Sequence, residues 1–322
     1  MPEIKKPTQK LDFKHKLLWT GLALVIYIIM TEIPLYGVFS GGNDPFLYSR
    51  IIFASSKGTL MELGIGPIVT AGLIIQLLKG AEFIKLDFNK PGERALFTVA
   101  TKLLTIVITI AQAAAFMAVG VFGQNLSQPT IIVIFSQLVL ATIIVMLMDE
   151  MIQKGWGLGS GISLFIAAGV TQQIFWSIFS PFAIQEGSKS VTYGILPYLV
   201  SLLMSGGSIA DAFFRSSGAP TLIGLFTTII VGAFIIYIEG VRLELPIAHA
   251  QYRGFRGRYP VKLLYVSVIP VILASAMTSS IYMVAQIMWA RYNVNNTSFF
   301  FNILGKFDPQ TTTPIGGLAY YV

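Results

Sequence analysis

FLYSRIIFASSKGTLMELGIGPIVTAGLIIQLLKG occupies residues 46–80 and decides the fold. Its first half, residues 46–63, is apolar but is interrupted by Arg50 and Lys57, so it is too broken to span a membrane. The second half is entered through a Gly-Ile-Gly-Pro turn at 64–67, whose proline suits the first turn of a helix. We predict a re-entrant half-helix followed by a short membrane helix. Because irregular backbone at membrane depth must be buried in protein or line a cavity, this region indicates an internal site.

The composition excludes several classes of protein. The chain has 322 residues, of which 54% are hydrophobic and only 11% are charged, with a mean hydropathy of +0.73. Soluble domains carry roughly a quarter charged residues, so a soluble enzyme, a DNA-binding domain and a disordered tail are all excluded. Cysteine is absent from the sequence, which excludes disulfides and iron–sulfur ligation.

Seven apolar stretches predict an all-α polytopic membrane protein. A helix needs about 20 apolar residues to cross the hydrocarbon core, and most of these stretches reach that length. The predicted spans are residues 18–38, 64–80, 95–121, 130–150, 160–180, 219–240 and 261–286. Most of the 22 Lys and Arg residues fall in the segment before the first predicted span and in every second connection between spans. By the positive-inside rule, this pattern predicts a cytoplasmic amino terminus.

The predicted spans hold few ionisable groups. Their carboxylates, Glu32, Asp149, Glu150 and Glu239, fall at the span ends, and Lys102 lies close enough to a cytoplasmic end to snorkel. Pumps and cotransporters usually bury ionisable groups near the midplane, so this pattern disfavours them.

Signals for catalysis or for a cofactor are equally weak. The two histidines, His15 and His249, lie in predicted cytoplasmic segments, and neither a zinc-protease motif nor a nucleophile-elbow motif is present. The glycine-rich run at 155–161 joins two predicted helices and lacks the spacing of a phosphate loop, so we interpret it as a tight turn. We predict a non-enzyme that holds no metal and no cofactor.

Three motifs resemble the SecY family of protein-conducting channels. They are ELGIGPIVTA at 62–71 with IIQLL at 74–78, GLGSGIS at 157–163, and VIPVILAS at 268–275. These motifs resemble the second, fifth and seventh membrane segments of the family, and the second is most similar to archaeal members. Their spacing matches throughout the chain.

The resemblance implies a helical bundle of ten membrane segments in two inverted halves. Here the halves would be residues 1–180, with segments one to five and the plug, and residues 181–322, with segments six and seven. Segments eight to ten would then follow in the natural chain, which we expect to continue beyond Val322. The alternative is a secondary transporter with broken helices, a class that also uses inverted repeats.

The resemblance also assigns site residues. A ring of aliphatic side chains would close the pore at Ile65, Val69, Ile162, Ile166 and Ile272, and the i, i+4 spacing of the first two pairs places each pair on one helix face. A plug at about 48–63 would fill the outer funnel, with its central residues at Arg50, Ile51, Ile52, Phe53, Ala54 and Ser55.

Partners and location follow from the same resemblance. The basic loop 240–262 would dock the ribosome through Arg242, Arg253, Arg256, Arg258 and Lys262. Small SecE-type and Sec-beta-type subunits would flank the chain, translocating polypeptides and signal sequences would pass through it, and lipid would surround it. The implied location is the plasma membrane.

Overall fold

The computed structural model describes a chain built mainly of helices. The described residues are 4–9, 11–38, 50, 53–84, 90–119, 122, 127–186, 189–206, 208, 210–215, 219–248, 256–263, 268–293, 296–308 and 314–321.

The long helices follow the apolar stretches of the sequence. They are α1 (Phe13–Glu32), α2 (Gly66–Gly80), α3 (Pro91–Val119), α4 (Gln128–Met151) and α5 (Gly161–Phe179). Further along are α6 (Ile195–Ser205), the short α7 (Ala210–Phe213), α8 (Leu222–Gly240), α9 (Val268–Tyr292), α10 (Phe299–Leu304) and α11 (Leu318–Tyr321). Among the described residues, α1, α3, α4 with its terminal turn, α5 and α8 are long and apolar enough to cross a membrane. The count of seven spans remains a prediction, because α2 has only 15 residues and α9 is outside this set.

Three antiparallel hairpins connect the helices, and the sequence did not predict them. Strands β1 (Ala183–Glu186) and β2 (Lys189–Thr192) pair with Ile184 opposite Val191. The longest hairpin joins β3 (Arg242–Ala248) to β4 (Arg256–Lys262), and a small one joins β5 (Lys306–Phe307) to β6 (Pro314–Gly316).

The predicted seventh span began too early. We predicted a membrane helix from residue 261, but residues 261 and 262 belong to β4, and α9 begins at Val268. The physical reason is that Val261 and Lys262 pair with Leu243 and Arg242 across the hairpin, so they complete a strand.

The chain divides into two compact units. The first comprises Met1–Val170 and Val271–Val322, and the second comprises Thr171–Pro270. In the first unit, one cluster of buried side chains joins α1, α2, α4 and α5; we call it the central cluster. In the second unit, Ile195, Tyr198 and Leu202 of α6 pack with Ala212 of α7. The inverted halves 1–180 and 181–322 remain a prediction.

Candidate pore and plug site

The Gly-Ile-Gly-Pro turn places the start of α2 directly against the plug segment, residues 48–63. The backbone N–H of Ile65 donates a hydrogen bond to the carbonyl of Phe53 at 2.8 Å. Gly64 has a φ of +55°, and a Cβ there would lie 2.2 Å from the same carbonyl oxygen. A Cβ on Gly66 would lie 3.3 Å from the Phe53 ring. Gly64 is therefore needed for the close approach of the plug backbone to the start of α2, and Gly66 leaves room for the Phe53 ring.

Four of the five predicted ring residues pack in or against the central cluster. Ile65, directly before α2, and Val69 of α2 are buried within it. Ile162 and Ile166 of α5 are partly buried against it. Ile272 lies in α9, where the structure describes the backbone but not this side chain. The two pairs predicted from the i, i+4 spacing therefore share one apolar environment.

The plug contains a buried ion pair. Arg50 Nη2 lies 2.6 Å from Glu62 Oε1, and only 8% and 1% of the two side chains are exposed. The other carboxylate oxygen of Glu62 accepts the backbone N–H of Gly58. Because a buried charge is costly unless it is paired and hydrogen-bonded, this pair ties the two ends of the described plug segment together. The sequence analysis placed Arg50 in the plug but missed Glu62 as its partner.

The described part of the plug is mostly turns. Arg50 and Phe53 have helical backbone, whereas Ile51 and Ile52 lie outside the described residues. Phe53 and Ala54 are buried in the central cluster and Ser55 is half-buried. The predicted half-helix is therefore wrong for residues 54–63, which form turns and loops, and the described helical residues of the plug are Arg50 and Phe53.

Tyr27 of α1 joins the plug to α5, and the sequence analysis missed it. Its hydroxyl donates to the carbonyl of Ala54 at 2.5 Å, and its ring stacks on Phe165 with centroids 5.0 Å apart. Both aromatic side chains are fully buried. A buried tyrosine hydroxyl usually finds a hydrogen-bond partner, so a tyrosine inside an apolar span was the available signal.

The turn between α4 and α5 also has a defined structure. A π-helical turn, Ile152–Trp156, follows α4, and Gly155 within it has a φ of +102°. Asp149, near the end of α4, accepts the backbone N–H of Ile162 at 3.1 Å. The tight turn predicted for the glycine-rich run is confirmed as the connection between these two helices.

Lys102 does not extend toward solvent, contrary to the sequence prediction. Its Nζ lies 2.7 Å from Glu150 Oε1, and both side chains are buried. Lys154 Nζ binds the same carboxylate oxygen at 2.9 Å. An opposite charge near the end of α4 holds the ammonium group within the protein, because pairing compensates its desolvation.

The predicted docking loop is a hairpin, and one of its faces holds four basic positions together with Glu244. In its register, Arg242 stands opposite Lys262, Pro246 opposite Arg258, and Ala248 opposite Arg256. Residues two apart on a strand, and residues directly opposite, share one face, so these four basic positions share a face. Leu243 and Leu245 occupy the other face and are exposed. Arg253 lies outside the described residues.

A metal site is not supported by the geometry. Within the part of the chain that the structure describes, no three His, Asp or Glu side chains are grouped as metal ligands would be. His249 lies outside that part.

Known proteins share this fold over the whole chain. The SecY family profile matches residues 59–318, and the profile for the plug domain of Sec61p matches residues 25–58. A solved protein-conducting channel is 35% identical, with a TM-score of 0.75 over 100% of this chain and 67% of the other.

Two further structures are equally similar. Sec61 in the canine ribosome–channel complex from the endoplasmic reticulum is 35% identical, with a TM-score of 0.74 over 100% of this chain and 67% of its own. The third structure is a SecY protein whose plug domain stabilises the closed state of the translocation channel and maintains a membrane seal. It is 36% identical, with a TM-score of 0.74 over 100% of this chain and 66% of its own. The chain spans about two-thirds of the length of these relatives.

The fold, the plug and the matches define the class as a multi-pass membrane protein of the protein-conducting channel type. Its pore-forming role in protein translocation follows from that class, and the comparisons give no support for the transporter alternative. The chain belongs to the SecY family.

Proposed function

We propose that Ile65, Val69, Ile162, Ile166 and Ile272 form the closing ring of the channel, with the plug stacked on one side of it. The observation that carries this proposal is the hydrogen bond from the Ile65 amide to the Phe53 carbonyl, because it joins a ring position to the plug directly. The packing of four ring residues in or against one apolar cluster supports it further.

An aliphatic ring suits the passage of unfolded chains. Charged or hydrogen-bonding constrictions would bind particular cargo side chains and stall them, whereas branched aliphatic groups offer no specific partner. A narrow apolar constriction also dewets when it is empty, which holds back ions, and it yields sterically when a chain arrives.

Lateral release of apolar cargo segments follows from partitioning. On the insertion scale a leucine-type residue gains a few tenths of a kcal/mol at the centre of the bilayer, whereas a charged residue costs about 2.5–3.5 kcal/mol. Apolar segments and signal sequences therefore leave toward lipid, while polar segments continue across. This work requires no covalent chemistry, so the chain acts as a non-enzyme without a cofactor.

The β3–β4 hairpin is the proposed ribosome-docking element. Its four basic register positions share one face, and Arg242 and Lys262 at its base are exposed. A cationic face suits ribosomal RNA, whose phosphates attract Lys and Arg in a salt-dependent way. The similar Sec61 channel was solved in a ribosome complex, which favours the same partner here.

The remaining assignments follow the family. Small SecE-type and Sec-beta-type subunits flank the chain, the inverted halves are residues 1–180 and 181–322, and the protein resides in the plasma membrane. The proposed orientation has a cytoplasmic amino terminus. The reason is the positive-inside rule, which assigns both the basic amino-terminal segment and the basic hairpin to the cytoplasmic side.

Site-directed crosslinking in the full-length channel tests the ring. The sequence has no cysteine, so single cysteines can be introduced without background. Ile162→Cys and Ile166→Cys should crosslink to a stalled translocating chain, whereas Val107→Cys, at a position 60% exposed on α3, should not. Replacing Ile65, Ile162 and Ile166 together by Ser should raise ion leak, because a polar waist loses its dewetting barrier. Equal crosslinking at all sites would contradict the ring.

A further inference from the structure

Asp149 caps a helix other than its own. It lies near the carboxyl end of α4, and its buried carboxylate faces the first turn of α5. Oδ1 accepts the backbone N–H of Ile162 at 3.1 Å, and Oδ2 accepts Gln153 Nε2 at 2.8 Å. The first N–H groups of a helix lack partners within that helix, and a negative charge there also suits the helix dipole. Asp149 therefore supplies the amino-terminal cap of α5 from the preceding helix.

Gly161 makes room for this cap. A Cβ at that position would lie 2.6 Å from Asp149 Oδ1 and 2.8 Å from Asp149 Cα. Because one of these atoms belongs to the backbone, a larger residue would force α4 and the start of α5 apart. Gly161 therefore matters because it lacks a side chain, which lets α4 and the start of α5 pack closely. The flexibility of its backbone is not what is required.

Helix α1 holds the same turn from another side. Thr20 Oγ1 accepts the backbone N–H of Leu158 at 2.9 Å. A Cβ on Gly157 would lie 3.0 Å from that hydroxyl oxygen. The entry to α5 is therefore hydrogen-bonded both to α1 and to α4, just before Ile162.

The two neighbouring carboxylates have separate roles. Glu150 binds Lys102 and Lys154, as described above, whereas Asp149 binds the entry to α5. Loss of the Asp149 carboxylate would therefore leave the lysine pair in place and release the start of α5.

We propose that Asp149 is a positioning residue for the pore ring. This inference rests on the proposed function, which makes Ile162 and Ile166 ring residues. The carboxylate binds the amide of Ile162 itself, and Ile166 follows one turn later on the same face. A rotation or an axial slip of α5 would displace both side chains from the waist together.

The test compares idle ion leak among variants of the full-length channel assembled with its partner subunits. Asp149→Ala removes the acceptor, whereas Asp149→Asn retains an oxygen that caps helices about as well. The matched control is Thr221→Ala, since Thr221 caps α8 by accepting the N–H of Gly224 at 3.1 Å. Helix α8 carries none of the proposed ring residues.

We expect Asp149→Ala to raise ion efflux from vesicles roughly threefold to tenfold at equal amounts of assembled channel, as loss of one cap implies. Asp149→Asn and Thr221→Ala should stay within about twofold of the unmodified channel. Equal leak from Asp149→Ala and Thr221→Ala would overturn the inference, because it would show only a general cost of losing a cap.

A second pair of variants applies if Asp149→Ala does not assemble. Gly161→Ala should raise the leak by displacing the carboxylate, whereas Gly232→Ala in α8 should not, because a Cβ there meets no atom within 4 Å. No leak from Gly161→Ala would overturn the inference. Crosslinking of Ile162→Cys to cargo in the otherwise unmodified channel tests the ring separately, so the two failures are distinguishable.

Discussion

The hydroxyl of Tyr27 donates a hydrogen bond to the backbone carbonyl of Ala54, with 2.5 Å between the two oxygens. The bond links α1 to the plug across 27 positions of sequence. The Tyr27 ring also stacks on Phe165, which lies in α5 between Ile162 and Ile166. One side chain therefore contacts both the plug and the helix that carries two proposed ring residues.

Tyr27→Phe should loosen the plug without disturbing the packing. Phenylalanine keeps the ring against Phe165 and removes only the hydroxyl that binds Ala54. The net loss of one hydrogen bond is about 1 kcal/mol, which predicts an increase of about fivefold in the displaced plug and in idle ion efflux. Tyr237→Phe, at an exposed position of α8, serves as the control. Identical efflux from both variants would show that the hydroxyl does not hold the plug.

Glu62→Gln should destabilise the plug more strongly. The variant removes the negative charge that lies 2.6 Å from buried Arg50, and breaking a buried pair typically costs about 3–5 kcal/mol. We expect a lower thermal unfolding midpoint and faster labelling of a cysteine introduced in place of Ser55. Replacing Arg50 and Glu62 together by Met should restore most of the stability, because neither charge of this pair is then left buried in the plug.

The control for this experiment is a more accessible pair of the same type. Lys90 and Glu93 lie 3.4 Å apart near the start of α3, with 68% and 30% of their side chains exposed. Glu93→Gln should therefore change the unfolding free energy by less than about 1 kcal/mol. Similar losses from Glu62→Gln and Glu93→Gln would contradict a specific role for the plug pair.

Charge reversal in the β3–β4 hairpin should weaken ribosome binding. Arg253, Arg256 and Arg258 changed together to Glu would replace attraction to RNA phosphates by repulsion. We expect the difference in ribosome affinity between the variant and the unmodified protein to shrink as salt is raised. The reason is that salt weakens the phosphate contacts of the unmodified protein. Co-sedimentation with ribosomes over a salt series measures this, and a glycosylation-site mapping experiment checks that topology is retained.

A variant on the opposite face of the hairpin separates charge from general disruption. Leu245→Ser changes an exposed position whose register places it away from the basic residues. Its ribosome affinity should remain unchanged. Binding that is equally weak in both variants would indicate that the hairpin fold, rather than its basic face, is required.

The sequence by itself determined the membrane helices and the break before α2. Apolar length predicts a span because each residue adds a fixed 1.5 Å of helix, and backbone hydrogen bonds in lipid must be satisfied within the segment. The Gly-Ile-Gly-Pro turn at 64–67 was recognisable for a similarly local reason. Glycine widens, and proline narrows, the range of backbone conformations at its own position. The family assignment drew on the same local motifs.

Only the tertiary structure decided which polar groups meet. Tyr27 and Ala54, or Asp149 and Ile162, belong to different elements, and their spacing in the sequence carries no information about their distance in space. The β3–β4 hairpin was missed because short alternating runs do not distinguish a strand from the approach to a helix. Partners for buried polar groups are found after the helices pack, when desolvation makes each unpaired group costly and the geometry of neighbouring elements supplies the acceptor.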